Sequence, residues 1–269
     1  AGTPEPQREP SSIQTNVEVL ASDAFEGRMT GTTGIQQAAE HIVTELEAIG
    51  AVPLPGSDGY RLSFPYTGSA TDGGTSLRLG TDGGPRWEDA ESVRALSFSE
   101  ADEVTGPLVF AGYGIVVPET DGFSYDSYAT IDVTDKIVVV LRYSPEDVDQ
   151  DLRAMFIRYA GLRFKSQAAR QRGAKGLLVV TGPRSPNAGA MVPMTADTAV
   201  ADSGIAAASV SLVVAETLFD LVPDWTLEEA QRELDSGNPH VAGFEIPAEV
   251  TLDAQVIREQ RDGHNVVAF

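Results

Sequence analysis

Histidine and acidic side chains could hold a catalytic metal ion in this sequence, but its histidines lie far apart. His41 falls within a segment of helical pattern, His240 follows Pro239, and His264 lies in an Asp-Gly-His-Asn sequence. A zinc hydrolase needs several His, Asp or Glu ligands around an open coordination position. None of the three histidines has a partner at the spacing of the H-E-x-x-H motif. We therefore predict that no residue of this chain is catalytic and that none binds a metal ion.

The adjacent acids Glu228 and Glu229 fall at the start of a predicted helix. The sequence Thr226-Leu-Glu-Glu229 matches the capping box. In that motif the Thr side chain accepts a hydrogen bond from the third helical residue, and the Glu side chain reaches back to the Thr backbone. We predict this structural role for Glu229.

Other motifs that carry chemistry are absent or incomplete. The chain has no cysteine, which excludes disulfides and thiolate chemistry, and it has no G-x-S-x-G sequence. Gly112-Tyr-Gly114 lacks the third glycine of a dinucleotide site, so we interpret it as a bulge or tight turn. The acids Asp147, Asp149 and Asp151 lack EF-hand spacing, which favours a solvated acidic loop over a calcium site.

The overall charge excludes one class of partner. The 269 residues include 40 acidic and 19 basic side chains, a net charge of −21. A field of that sign repels phosphate backbones, so we predict no nucleic-acid binding. No apolar run approaches the roughly 18 residues of a membrane-spanning helix, so we predict no membrane span. Residues 1–10 are rich in proline and have no apolar core, which indicates a disordered leader left after removal of a signal peptide.

The hydrophobic pattern predicts an N-terminal helix, followed by a β-rich region with helices between some of its strands. Apolar residues from Ile35 to Ile49 recur at helical spacing and form a face broad enough to pack on a sheet. A helix over 151–172, broken near Gly161, and a capped helix over 226–234 are also predicted, and a turn is predicted at Asp262-Gly263. Strands are predicted at 60–66, 77–79, 107–113, 137–142, 176–181, 207–214 and 250–258.

Two terminal segments resemble a family of zinc exopeptidases. Leu20-Ala-Ser-Asp23, Phe25-Glu-Gly-Arg28 and Gly31, followed by the amphipathic helix, are similar to the entry of the aminopeptidase Y and glutamate carboxypeptidase-like family. Asn265-Val-Val-Ala268 looks like the strand that re-enters the peptidase domain of those enzymes.

The middle of the chain resembles the protease-associated (PA) domain that is inserted in many of those enzymes. The resemblance runs from Val109-Phe-Ala-Gly-Tyr-Gly114 through 125–128 and Lys136-Ile-Val-Val-Val140 to Gly173-Ala-Lys-Gly-Leu-Leu-Val-Val180. It implies an α+β chain: a β-rich PA domain over 72–248 with flanking helices, and partial α/β peptidase segments over 11–71 and 249–269.

The resemblance also implies what the chain does. In the family, two zinc ions are held by residues that follow the re-entry strand, which here would lie beyond Phe269. The chain would then be a non-catalytic, substrate-access portion of a secreted or periplasmic zinc aminopeptidase, without a cofactor of its own. Its partners would be peptide substrates and its own C-terminal catalytic domain. The alternatives are a receptor-like protein- or peptide-binding module without peptidase activity, and a self-contained enzyme with an unrecognised site.

A basic segment in this acidic chain is the predicted substrate contact. The family places the PA domain over the mouth of the active site, and arginine binds carboxylates through paired hydrogen bonds. The loop 182–203 is also longer than a simple connection needs. We predict that this loop and the basic side chains form a substrate rim; alternatively, the cations pair with surrounding acids. The basic residues of the rim are Arg153, Arg158, Arg163 and Lys165.

Overall fold

The computed structural model describes residues 12–80, 83–120, 122–195, 203–241 and 243–269, so the predicted leader 1–10 lies outside the described residues. Two compact units are present: Ala1–Gly68 with Glu259–Phe269, and Ser69–Arg258. The division predicted from the sequence has its two boundaries at 71/72 and 248/249. The assignment of its outer segments to a peptidase domain and of 72–248 to a PA domain stays a prediction.

The described residues form six α-helices, one short 3₁₀ helix (Asp23–Arg28) and twelve strands. The α-helices are α1 (Ser12–Leu20), α2 (Thr33–Ala48), α3 (Gln150–Tyr159), α4 (Leu162–Gln171), α5 (Leu212–Phe219) and α6 (Leu227–Asp235). The strands are β1 (Arg61–Asp72), β2 (Ser76–Leu79), β3 (Arg86–Trp87), β4 (Val93–Ala95), β5 (Asp102–Phe110), β6 (Val116–Thr120), β7 (Phe123–Asp126), β8 (Ile137–Leu141), β9 (Gly176–Val180), β10 (Ala206–Val210), β11 (Phe244–Ala254) and β12 (Val256–Val266). The α+β class predicted from the sequence is confirmed.

In the first unit, α2 leaves part of its apolar face exposed. The Thr32 hydroxyl caps the helix by accepting a hydrogen bond from the backbone N–H of Ile35. Ala38 and Ala39 are buried, whereas Ile42 is 37% and Ile49 is 78% exposed. The predicted amphipathic helix is therefore confirmed, and its broad stripe is only partly covered.

The predicted turn at Asp262-Gly263 is wrong. Strand β12 continues through both residues and pairs with β1 in a two-stranded sheet. A Cβ atom on residue 263 would lie 2.7 Å from the Phe64 ring, so glycine is needed here for the close approach of that ring. The single strand predicted over 250–258 is also two strands, because β11 ends at Ala254 and β12 begins at Val256.

The second unit is built on an eight-stranded mixed sheet with the order β3-β2-β11-β5-β8-β9-β10-β4. The four neighbours β5, β8, β9 and β10 are parallel, and the remaining pairs are antiparallel. All five residues of β8, of β9 and of β10 are buried. These strands therefore have the continuous apolar sequences that strands covered on both faces require.

Helices cover both faces of this sheet. Along β8, Ile137, Val139 and Leu141 belong to one apolar cluster, and Val138 and Val140 belong to the other. The first cluster includes side chains of α3, α5 and α6, and the second includes the alanines of α4. The sheet alternation thus separates two cores, which fixes α4 on the face opposite the other three helices.

Local signals explain where the helices of this unit begin and end. The predicted break near Gly161 is confirmed, because α3 ends at Tyr159 and Gly161 is the N-cap residue of α4. The strand predicted over 207–214 ends at Val210, because the Ser211 hydroxyl caps α5 by accepting from the backbone N–H of Val214. Within the described ranges, no helix is long and apolar enough to cross a membrane.

Candidate functional site

The four basic residues predicted to form a substrate rim differ in burial. Arg153 and Arg158 are exposed on α3, and Arg153 Nη2 donates a hydrogen bond to the backbone oxygen of Glu146. Arg163 is exposed in the first turn of α4, where its guanidinium carbon lies 5.7 Å from the Phe98 ring centroid. Lys165, two residues further on, is fully buried.

The burial of Lys165 corrects its predicted role. Its ammonium donates hydrogen bonds to the backbone oxygens of Leu141 (2.7 Å) and Tyr143 (2.6 Å), and it lies 5.5 Å from the Tyr113 ring centroid. Desolvation lowers the pKa of this side chain well below its usual value. Lys165 therefore holds the end of β8 in place and cannot contact a substrate at an outer rim.

Arg163 lines an apolar pocket of about 370 Å³, which we call the arginine pocket. Arg142, the first residue after β8, is the second cation in its lining. The apolar walls are formed by Leu96, Phe98, Leu162, Phe164, Val192 and Pro193. Few polar groups line the pocket, as is typical of small-molecule sites that combine apolar walls with a few positioned polar groups.

Two further arginines hold the walls of the arginine pocket from behind. Arg258 Nη2 donates to the backbone oxygens of Ser97 (3.1 Å) and Ser99 (2.6 Å). On the other wall, Arg94 Nη2 donates to the backbone oxygen of Val192 at 3.1 Å. These side chains fix the backbone on either side of Phe98 and at Val192, so the pocket is formed before any ligand enters.

A buried polar cluster anchors the start of the loop 182–203 to α6. The Tyr113 hydroxyl donates to Asp235 Oδ1 at 2.6 Å, and Arg184 Nε donates to Asp235 Oδ2 at 2.8 Å. Gln231 Nε2 donates to the hydroxyls of Tyr113 (3.3 Å) and Ser185 (3.2 Å). Burial and the bond to Asp235 raise the pKa of Tyr113, so its phenol stays protonated as a donor.

The loop 182–203 lies partly outside the described residues, which stop at 195 and resume at 203. Its first part is tied back to the sheet, because Gly189 N–H donates to the Thr181 backbone oxygen and the Thr181 hydroxyl donates to the Ala190 oxygen. This part of the loop is a well-bonded turn, and its role in a substrate rim stays a prediction.

The three histidines lie on different elements of the structure. His41 Nε2 lies 3.0 Å from the Asn16 side-chain oxygen, and His240 and His264 lie in other parts of the chain. Within the ranges that the structure covers, no group of three or more His, Asp or Glu side chains is arranged to hold a metal ion. These residues do not fit the two zinc ions that the family resemblance implies, and we derive no step through zinc.

Glu229 has the structural role that the sequence predicts. Its carboxylate accepts a hydrogen bond from the Thr226 backbone N–H at 3.1 Å, and the Thr226 hydroxyl accepts from the Glu229 N–H at 3.2 Å. The bonds from Thr226 lower the pKa of Glu229. The capping box is confirmed.

The second unit also carries a segment that matches a protein-family model. Residues 104–218 match the family model described as PA domain. This segment is a PA domain. It runs from β5 into α5 and contains Arg142, Arg163 and Lys165, which confirms the resemblance seen in the sequence of this region.

Solved aminopeptidase structures are similar to the chain at low identity. An aminopeptidase from Aneurinibacillus sp. strain AM-1 matches with a TM-score of 0.46 and 17% identity, over 94% of this chain and 46% of that one. A zinc aminopeptidase from Bacillus subtilis matches with a TM-score of 0.37 and 17% identity, over 94% and 45%. The chain thus spans less than half the length of either structure. No curated protein sequence matches it.

Two features of the PA domain are not predicted from the sequence. They are the position of Arg142 in the pocket and the burial of Lys165. Arg142 directly follows the apolar run of β8, at the end of a parallel strand where binding residues often lie. Lys165 lies three and four residues before the buried Ala168 and Ala169 of α4. This helical spacing is the signal that places Lys165 on the buried face.

Proposed function

We propose that the chain is a non-catalytic accessory portion of a secreted or periplasmic zinc aminopeptidase, in which the PA domain controls access of peptides to the active site. The observation that carries this proposal is the PA match over 104–218.

The proposal is tested first on the chain by itself. We expect purified residues 1–269 to contain no stoichiometric zinc and to release no nitroaniline from aminoacyl-nitroanilides, because metal-assisted hydrolysis needs several ligands in one site. Elemental analysis and a colorimetric assay measure the two quantities. Tightly bound zinc together with hydrolysis that a chelator abolishes would overturn the non-catalytic role.

The access role is tested on the peptidase of which we propose the chain is a part. We expect Arg153→Ala, Arg158→Ala and Arg163→Ala to raise KM for short peptides and to leave kcat nearly unchanged, because uniform binding is lost. The three side chains are exposed, so each change costs about 1 kcal/mol or less, and less again at high salt.

Arg232→Ala is the matched control for these changes, since Arg232 is an exposed arginine on α6 that pairs with Glu228. Its KM should equal that of the unchanged protein. If all three rim variants also keep the original KM at low salt, the arginines are solvated surface charges and the rim does not exist.

A specific observation favours the alternative of a stand-alone peptide-binding module. The described lining residues of the arginine pocket all belong to the second unit, whose eight-stranded sheet has its own two apolar cores. Secretion with residues 1–269 as the whole mature protein, measured by mass spectrometry of the culture medium, would favour this alternative over an accessory role.

A further inference from the structure

We propose that the arginine pocket binds the carboxyl-terminal residue of a peptide, with its apolar side chain inside the pocket and its α-carboxylate held by Arg142 and Arg163. This inference goes beyond the proposed function, because it concerns a ligand of the chain itself and needs no catalytic domain.

The walls of the pocket define the apolar half of the ligand. Phe98 is 3% and Val192 is 8% exposed, so these side chains give a fixed floor. Phe164 is 56% exposed at the start of α4 and leaves one apolar face of the pocket uncovered. A ligand that covers Phe164 and contacts the floor removes apolar surface from water, which favours binding.

The two arginines define the charged half. The Arg142 guanidinium carbon lies 4.8 Å from the Tyr143 ring centroid, and that of Arg163 lies 5.7 Å from the Phe98 centroid, so both planar groups rest on aromatic rings. Arg142 forms no ion pair with any residue in the described ranges. Guanidinium groups held in this way match the geometry of a carboxylate.

The size of the pocket and the charge of the chain disfavour large partners and polyanions. A pocket of about 370 Å³ is at the small end of ligand sites, so it suits one residue and not a folded surface or a long chain. The net charge of −21 disfavours polyanions such as phosphate polymers, whereas a single carboxylate meets the local arginines. The larger depression near Trp225 is acidic and would repel a carboxylate, since its lining includes Glu216, Asp220 and Glu228.

The pocket is also pre-organised. Arg258 and Arg94 hold its walls through backbone oxygens, Val192 N–H donates to the Ser209 hydroxyl at 3.0 Å, and Ala207 N–H donates to the Ser99 hydroxyl at 2.7 Å. A ligand therefore does not have to order these walls when it binds, which leaves more of its contact energy for affinity.

Calorimetric titration of residues 1–269 at low salt with N-acetyl-leucine tests the inference. For so small a ligand we expect saturable binding with a Kd on the order of 1 mM. N-acetyl-leucinamide, which has the same side chain without the charge, should bind about tenfold more weakly. Octanoate distinguishes a fatty acid from a peptide end, and we expect it to bind more weakly than N-acetyl-leucine.

The variants assign the site. Arg163→Gln and Arg142→Gln should each raise the Kd of N-acetyl-leucine by about three- to tenfold. Phe164→Ser, at an exposed position, should weaken the acid and the amide equally. Arg232→Gln, which removes an exposed charge on α6 outside the pocket, is the control and should leave the Kd unchanged.

Several outcomes would overturn the inference. These are the absence of saturable binding, equal affinity for acid and amide, tighter binding of octanoate, or an Arg232→Gln effect as large as that of Arg163→Gln. Because each measurement uses the isolated chain and simple ligands, its failure would leave the accessory role in an aminopeptidase untouched. Loss of that role would equally leave this binding site in place.

Discussion

At the scale of single residues, the buried side chain of Lys165 is expected to stabilise the PA domain. It is fully buried, and its ammonium donates to two backbone oxygens at the end of β8. We expect Lys165→Met to lower the free energy of unfolding by about 1–3 kcal/mol, because it keeps the aliphatic stem but leaves two buried acceptors without a donor. Chemical denaturation measures the difference.

The same lysine predicts a pH dependence. Its pKa is lowered by burial in the folded state, so the unfolded chain binds the proton more tightly. The free energy of unfolding should therefore rise with pH between the lowered folded pKa and the ordinary value of 10.5, relative to Lys165→Met, which lacks this slope. Lys175→Met, at an exposed position, is the control and should change stability by no more than about 0.5 kcal/mol. Parallel pH profiles for the unchanged protein and Lys165→Met would contradict the prediction.

The sequence could predict some residue roles better than others. Thr226 and Glu229 interact within one turn, so their spacing alone specifies the capping box. The contacts of Lys165 lie more than 20 positions away in sequence, at residues 141 and 143, and composition suggested a surface cation. Only its helical spacing with Ala168 and Ala169 indicated that Lys165 lies on the buried face of α4.

At the scale of elements, α6 is anchored through its last residue. The Asp235 side chain is 2% exposed and accepts from Tyr113 and Arg184. We expect Asp235→Asn to lower the free energy of unfolding by about 2 kcal/mol, since an amide cannot accept both bonds and pair with the guanidinium. Thermal and denaturant unfolding measure the change.

The control for this change is an ion pair on the same helix. Arg232 Nη2 lies 3.3 Å from Glu228 Oε1, and both side chains are more than half exposed. Arg232→Gln should change stability by no more than about 0.5 kcal/mol. If the two variants are equally stable, the Asp235 cluster does not anchor α6, and the loop after β9 is held by its backbone bonds alone.

The elements follow from the sequence where the signals are local. The break at Gly161, the stripe of α2 and the apolar strands β8 and β9 are all found where the pattern predicts them. The predictions of elements fail where a residue distant in sequence determines the local structure. Gly263 continues a strand because Phe64 packs on it, and the pairing of β11 between β2 and β5 joins segments that no local pattern connects.

At the scale of the whole molecule, the net charge of −21 sets how stability responds to salt. The excess of acids repels itself in the compact state, and the Debye length falls from about 30 Å at 0.01 M to about 3 Å at 1 M salt. We expect Tm to rise by on the order of 5 °C over this range, as measured by scanning calorimetry.

Screening does not depend on the identity of the cation, which supplies the control for this prediction. Sodium chloride and choline chloride at equal ionic strength should raise Tm alike. A rise with sodium alone would indicate a specific ion site in place of screening, and a fall with both salts would contradict the self-repulsion.

The strands at the two ends of the large sheet have a consequence for handling the protein. Strand β3 has two residues and β4 has three, while the strands between them are longer. An unpaired strand edge is a template on which another molecule can add its own strand, and its danger grows with its length. Edge strands this short offer the strand of a second molecule few unpaired backbone N–H and C=O groups. The two edges of the large sheet should therefore resist the edge-to-edge growth that leads to fibres.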